Sequence, residues 1–306
     1  MKKNEFLNKV VEELKERFGT KATIEINTVI KNNDITLNGI VIREEKMNIY
    51  PNIYIDGYYE KAQKADNYNI GMVCDKIIRT YNETKIDCKM DADFFDEFDN
   101  VKDEIVMKLV NFDKNKKYLA KHAHKKVFDL AIVFYYIFKS DKMGQASMFI
   151  QNRHCEMWDI SIEQLYDVAF KNTFEKFPTY IEDMEKKIIG ILGEESAAIF
   201  ETEEEVEEKK SFMYVMGNSN DLNGAISIMD KQMLMKFAEE IGDNFFILPS
   251  SIHELILVPS TDSSDSARYL ELVRSTNESC VDEEDFLSDN IYFYNGWENE
   301  IECISS

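Results

Sequence analysis

The chain has 306 residues, of which 44% are hydrophobic and 31% charged, and its formal net charge is −22. This composition is typical of a globular protein and not of an intrinsically disordered chain. The acidic surface repels phosphate backbones, so we expect no direct nucleic-acid binding. No apolar run approaches the roughly twenty residues of a membrane helix, so we expect no membrane partner.

The N-terminus and the cysteines predict a cytoplasmic protein. Asn4 and Glu5 follow the first three residues, and no apolar core with a small-residue cleavage site is present. The five cysteines, at positions 74, 88, 155, 280 and 303, are widely spaced and form no CxxC pair. Such an odd, scattered set is typical of free thiols in a reducing compartment.

The first third of the chain predicts a helix followed by a hairpin. Apolar residues recur at three- and four-residue spacing from Phe6 to Phe18, and Gly19 is placed to end that helix. Alternating residues at 22–30 and 35–42 flank a turn-forming Asn-Asn-Asp, which favours a β-hairpin. Further elements are predicted as an extended apolar stretch at 49–55 and helices at 57–65, 70–81 and 101–110.

The remaining elements mix strands and helices without a regular βαβ alternation. Strands are predicted at 129–138, 148–151, 212–216, 225–229, 245–248, 254–258 and 291–294, and helices at 161–171, 180–192, 231–241 and 266–277. This order predicts an α+β fold with mixed, mainly antiparallel sheets and packed helices. The length allows either one domain or two α+β lobes, 1–115 and 116–306, the second carrying an acidic loop near 194–210.

Several stretches together resemble one bacterial family. In chain order they are 29–33 (VIKNN), 38–40 (NGI), 49–54 (IYPNIY), 129–133 (DLAIV), 158–161 (WDIS), 223–225 (NGA) and 246–254 (FILPSSIHE). Their order and spacing are similar to the family known as domain of unknown function 5688 (DUF5688), over almost the whole chain. The resemblance implies a bacterial, intracellular protein. Because the family carries no known activity, it transfers no catalytic residue.

The most distinctive of these stretches also contains candidate catalytic residues. Ser250, Ser251, His253 and Glu254 supply the hydroxyl, imidazole and carboxylate that a serine hydrolase requires. However, neighbours on an extended chain point to opposite faces, and no GxSxG motif surrounds either serine. The alternative is a turn in which the hydroxyls satisfy backbone groups and His253 packs under a loop.

The histidines allow a weak zinc hypothesis. His122 and His124 precede one predicted strand, and His154 and Cys155 follow the next, so that adjacent strands would bring four nitrogen and sulfur ligands together. Three lysines beside the first pair oppose a cation, and capping or solvent-exposed histidines are the default interpretation. We therefore expect no resident metal. The absence of phosphate-binding glycine motifs predicts no nucleotide cofactor.

Three functional hypotheses follow. The first is a non-enzymatic interaction protein whose acidic surface steers it to another protein with a basic face. The second is a hydrolase that uses the Ser250 or Ser251, His253 and Glu254 segment. The third is a nucleic-acid mimic, whose carboxylates occupy the groove of a DNA-binding protein. Acidic runs support the first and third: 194–208 carries eight Glu, and no Lys or Arg follows Arg274.

Overall fold

A computed structural model describes residues 1–45, 50–64, 69–85, 92–138, 146–193, 212–260 and 265–305. The chain divides into two compact units, one formed by Met1–Glu104 with Tyr136–Met148 and the other by Ile105–Tyr135 with Phe149–Ser306. Residue 115, where sequence reasoning placed a boundary, lies inside the second unit. The acidic stretch 194–208 is outside the described residues.

The first unit packs helices on one face of a small antiparallel sheet. Its elements are α1 (Lys3–Phe18), β1 (Ala22–Ile30), β2 (Thr36–Glu44), β3 (Asn52–Tyr54), α2 (Asp56–Gln63), α3 (Ile70–Thr84) and the short α4 (Phe98–Val101). The sheet order is β1-β2-β3. Phe6, Val10 and Leu14 of α1 are fully buried against Ile40 and Ile42 of β2, as their helical spacing predicts.

A four-stranded sheet with its helices comes next, and it belongs to the second unit except for residues 136–148, which are part of the first. Its elements are β4 (Ile105–Asn111), α5 (Lys116–Leu119), β5 (His124–Val127), β6 (Leu130–Phe138), β7 (Ala146–Phe149), α6 (Asn152–Trp158) and α7 (Ile162–Lys176). The order is β4-β6-β5, with β7 also pairing with β6. The Asn172 amide of α7 donates to the Ile105 carbonyl oxygen (2.8 Å), and the Met107 amide nitrogen donates to the Thr173 hydroxyl (3.0 Å).

A six-stranded antiparallel sheet forms the rest of the second unit. Its elements are β8 (Thr179–Asp183), α8 (Met184–Leu192), β9 (Tyr214–Asn218), α9 (Lys231–Ile241), β10 (Phe245–Pro249), β11 (Leu255–Pro259), α10 (Ser266–Cys280), β12 (Ile291–Asn295) and β13 (Glu300–Ile304), in the order β13-β12-β10-β11-β9-β8. The side chains of adjacent β10 residues point to opposite faces of the sheet. Phe246 packs with Leu270 of α10, and Phe245 contacts Phe237 of α9.

The α+β fold class is confirmed, but several predicted elements were wrong. Residues predicted as a helix at 101–110 form mainly strand β4, and the strand predicted at 225–229 is a 3-10 helix, Gly224–Met229. The helix predicted from residue 180 begins at Met184, after strand β8. Strands β5 and β13 were not predicted. Within the described ranges, no helix has both the length and the apolar character needed to cross a membrane.

Candidate functional site

The turn between β10 and β11 contains all four candidate hydrolase residues. The Ser250 hydroxyl donates to the Glu254 carbonyl oxygen (3.2 Å), and the Ser251 hydroxyl accepts from the His253 amide (2.9 Å). The Ser251 amide also donates to the Glu254 carbonyl oxygen (3.4 Å). These bonds close the turn, since they satisfy backbone groups that the two strands leave unpaired.

The imidazole of His253 contacts two other loops. Its Nδ1 accepts from the Asn223 amide (3.2 Å), and its Nε2 lies 3.2 Å from Asp285 Oδ1. Because a backbone N–H can only donate, the Nδ1 that accepts is unprotonated, and we assign the ring hydrogen to Nε2. Both ring nitrogens are thus occupied by partners other than a serine hydroxyl. The structure brings His253 together with Asp285 and not with a nucleophile.

The surrounding backbone fixes these loops to the turn. The Ile252 amide donates to the Asp285 carbonyl oxygen (2.9 Å), and the Ala225 amide donates to the Ile252 carbonyl oxygen (3.2 Å). A Cβ on Gly224 would lie 2.4 Å from the His253 carbonyl oxygen, so only glycine allows this approach. The turn at the end of the distinctive 246–254 segment is therefore joined to two other loops, those of Asn223 and Asp285.

Tyr135 of β6 adds a titratable group to this junction. Burial raises the pKa of Tyr135 to about 12, although a hydrogen bond from the Asn223 side chain opposes the increase. Asn223 itself has a left-handed backbone, with φ 56°. The side chains of His253 and Asp285 stay partly exposed, at 31% and 39%. The cluster is thus polar, ordered and accessible on one side.

The zinc candidates have structural partners. His122 Nδ1 lies 2.7 Å from the Tyr118 carbonyl oxygen, and burial lowers the pKa of His122. His124 Nδ1 lies 2.9 Å from the His122 carbonyl oxygen, and His154 Nδ1 accepts from the Gln151 amide (3.1 Å) as a helix cap. Cys155 is buried, which raises its pKa. Across the described ranges, no three His, Cys, Asp or Glu residues are grouped so as to hold a metal.

A second polar cluster, which the sequence did not reveal, surrounds Asp129. Its carboxylate accepts from the hydroxyls of Ser288 (2.5 Å) and Tyr292 (2.7 Å), and from the Cys303 thiol (3.6 Å). Burial, with the neighbouring carboxylate, raises the pKa of Cys303 to about 11. These partners lie more than 150 residues along the chain from Asp129, so no local pattern could have indicated the cluster.

A cavity of about 340 Å³ lies beside this cluster, in the second unit. Phe128, in the turn before Asp129, has φ 53°, a strained backbone for a bulky side chain, and its ring centroid is 5.3 Å from that of Tyr292. The walls are mainly apolar with one cation and one anion, from residues Val127, Phe128, Ile228, Met229, Lys231, Glu300 and Ile301.

The β12–β13 hairpin, residues 291–304, presents an exposed aromatic side chain at its tip. Trp297 is 93% exposed. The loop that carries it is ordered, since the Trp297 amide donates to Asn295 Oδ1 (3.0 Å), the Gly296 amide to Asn244 Oδ1 (2.9 Å), and the Tyr294 hydroxyl to Asn299 Oδ1 (2.8 Å). The Glu-Ile-Glu-Cys-Ile alternation is typical of a strand, and it is the signal that the sequence analysis missed for β13.

Antiparallel sheets with packed helices, in two compact units, define an α+β protein. The chain belongs to the family of unknown function DUF5688, whose model matches residues 3–296. This membership confirms the resemblance found in the sequence. Neither the curated proteins nor the solved structures contain a match to the chain.

Proposed function

We propose that the protein is a binding protein, and that the β12–β13 hairpin contacts another protein that has a basic face. The exposure of Trp297 carries this proposal. An exposed tryptophan on an ordered loop leaves a large apolar surface in contact with water. Burial of that surface against a partner stabilises the complex. Tryptophan is also among the side chains that dominate the energy of protein interfaces.

The charge around Trp297 indicates the kind of partner. Glu300 and Glu302 are exposed on β13, Glu298 adjoins Trp297, and no Lys or Arg follows Arg274 in the chain. Such a local excess of negative charge attracts a basic surface and accelerates association. An exposed tryptophan surrounded by acidic side chains is therefore complementary to a cationic protein surface.

The hydrolase hypothesis has less support. A serine nucleophile needs a base that accepts its proton, yet His253 Nδ1 accepts from the Asn223 amide and Nε2 faces Asp285. The Ser250 hydroxyl donates to a carbonyl oxygen of its own turn. These bonds favour a structural role for the segment.

The proposal is tested by affinity capture of the tagged protein from a lysate of its own host, followed by mass spectrometry. We expect to capture a protein that is released as the salt concentration increases. The amount that the Trp297→Ala variant captures should be lower by at least about tenfold. Met72→Ala is the matched control, because Met72 is 58% exposed and lies on α3 of the first unit.

Equal retention by Trp297→Ala and the unmodified chain would contradict the hairpin as the binding surface. Circular dichroism and thermal unfolding of both variants check that the fold is intact. Competition with duplex DNA separates the nucleic-acid mimic from a general binding protein. DNA displaces the captured partner only if that partner uses its DNA-binding groove for the protein.

A further inference from the structure

We infer how the partner is bound: an extended segment with alternating basic and apolar residues adds to β13 as a further strand, and one apolar side chain enters the cavity beside it. This inference rests on the proposed function and specifies its binding mode. Edge strands expose unpaired backbone groups, and addition of a peptide strand is an established mode of recognition. Three features of the second unit support it.

The first feature is the free edge of the sheet. In the six-stranded order β13 is terminal, and within the described part of the chain its register joins it to β12 alone, from Asn295↔Glu300 to Ile291↔Ile304. Its five residues offer enough backbone for a short peptide to pair. The edge also adjoins Trp297, so that both can contact one ligand.

The second feature is the difference between the two faces of β13. Glu300 and Glu302 pair with Asn295 and Phe293 and remain exposed, on the side of the sheet where α10 packs further in. Ile301 and Cys303 pair with Tyr294 and Tyr292 on the other side. Residues directly opposite each other on neighbouring strands share a face. An added strand therefore places basic side chains beside the glutamates and apolar side chains beside Ile301.

The third feature is the cavity on the Ile301 side. Ile301 forms part of its wall, and Phe128 and Met229 contribute further apolar surface. Among the described lining residues, Lys231 is the one cation and Glu300 the one anion, so their charges offset each other, and the other five are apolar. An apolar side chain fits the walls, and this selectivity sets the register of the added strand.

Charge decides between a cationic segment and a second copy of the protein. Pairing of two β13 strands would bring glutamates of both copies together, and each copy has a net charge of −22. Like charges on neighbouring strands destabilise their pairing. A basic segment instead forms favourable cross-strand pairs with Glu300 and Glu302.

The probe is a seven-residue peptide with blocked ends, Lys at positions 1, 3, 5 and 7, Leu at 4, and Thr at 2 and 6. Binding is followed by the fluorescence of Trp297 in the Trp158→Phe background, since the chain has two tryptophans. We expect saturable binding that weakens with salt. Exchanging the residues at positions 3 and 4, which puts Leu on the basic face, should lower affinity by about tenfold.

Backbone methylation tests strand addition directly. One peptide is N-methylated at positions 2, 4 and 6, and another at positions 3 and 5. Alternate amides of a strand point to opposite edges, so pairing with β13 requires that only one of these peptides lose binding. Equal binding, or equal loss, would overturn strand addition. Failure of the unmethylated peptide to bind at about 1 mM would also overturn it.

Charge variants complete the test. Glu300→Gln with Glu302→Gln should weaken peptide binding by about fivefold to tenfold and reduce its salt dependence. Glu12→Gln with Glu16→Gln removes the same charge from exposed positions of α1 and should have no such effect. If Trp297→Ala loses the captured partner while the peptides fail, the binding mode is wrong and the proposed function stands. If Trp297→Ala retains the partner, the proposed function itself is wrong.

Discussion

At the scale of single residues, His253 shows how one side chain can join separate loops. Its ring accepts from the Asn223 amide and contacts Asp285, 32 residues further along the chain. The carbonyl oxygen of His253 faces Gly224, where a side chain would collide with it. Histidine suits this position because one ring nitrogen accepts while the other donates.

Tyr135, in the same junction, predicts a loss of stability in alkali. Its pKa is about 12 in the folded protein against an ordinary value of 10.0. Between these values the unfolded chain has released the phenolic proton and the folded chain has kept it, so the free energy of unfolding falls as pH rises. Tyr135→Phe should make that fall less steep.

Urea unfolding of both chains at intervals from about pH 9 to pH 12 measures this effect. The difference in the free energy of unfolding between the two chains is free of the contributions of the other tyrosines and the cysteines, because these are common to both. Parallel curves would show that Tyr135 does not titrate with a raised pKa.

The residues of the site were only partly predictable. Ser250 and Ser251 were placed correctly in a turn between two strands, because their neighbours have strong local signals. Asp285 and Asp129 carried no such signal, since their partners are brought to them by sheet pairing. Side-chain contacts across so many residues depend on the whole topology.

At the scale of elements, the loop before the 3-10 helix Gly224–Met229 is tightly constrained. A Cβ at Gly224 would come within 2.4 Å of the His253 carbonyl oxygen and 2.9 Å of the Asn218 amide. Both contacts are to backbone, which cannot rotate away. The connection from β9 to α9 therefore depends on the turn between β10 and β11.

Gly224→Ala should lower the free energy of unfolding by about 1–3 kcal/mol, because the methyl group forces these backbones apart. Gly190→Ala is the matched control: nothing lies within 4 Å of its added Cβ, and α8 should gain about 0.5–1 kcal/mol from the better helix former. Urea unfolding of the two variants measures both changes. Equal stability of the two variants would contradict the predicted clash.

Most elements with a clear period were predicted, and so was the long apolar strand β6, but an apparent helical period at 101–110 gave a wrong prediction. Helix α1 and the β1–β2 hairpin follow their patterns closely. Val101, Ile105 and Leu109 recur at helical spacing, yet Ile105–Asn111 is a strand that is buried on both faces. A short apolar run fits a buried strand and a buried helix equally well, and tertiary packing decides between them.

At the scale of the whole molecule, self-repulsion opposes folding. The net charge of −22 acts on all parts of the chain, and ion pairs such as Arg17–Asp75 (2.5 Å) offset only some of it. Exposed pairs of this kind contribute little to stability. Repulsion between acidic residues should therefore be the larger long-range effect.

Raising the ionic strength from about 0.01 M to 0.15 M shortens the screening length from about 30 Å to about 8 Å. We expect the Tm to rise by about 2–4 °C, which corresponds to roughly 1 kcal/mol for a chain of this size. Calorimetry in NaCl and in KCl at equal ionic strength measures the change, and the two salts should agree. A Tm that falls with salt would show that ion pairs outweigh the repulsion.

The division into two units also has a consequence for biosynthesis. Residues 136–148 belong to the first unit, although the chain before and after them belongs to the second. The ribosome synthesises residues 1–104 before residues 136–148. The first unit therefore cannot complete its fold until residues 105–135 of the second unit have also been synthesised. For the same reason, no single cut in the gene separates the two units into complete fragments.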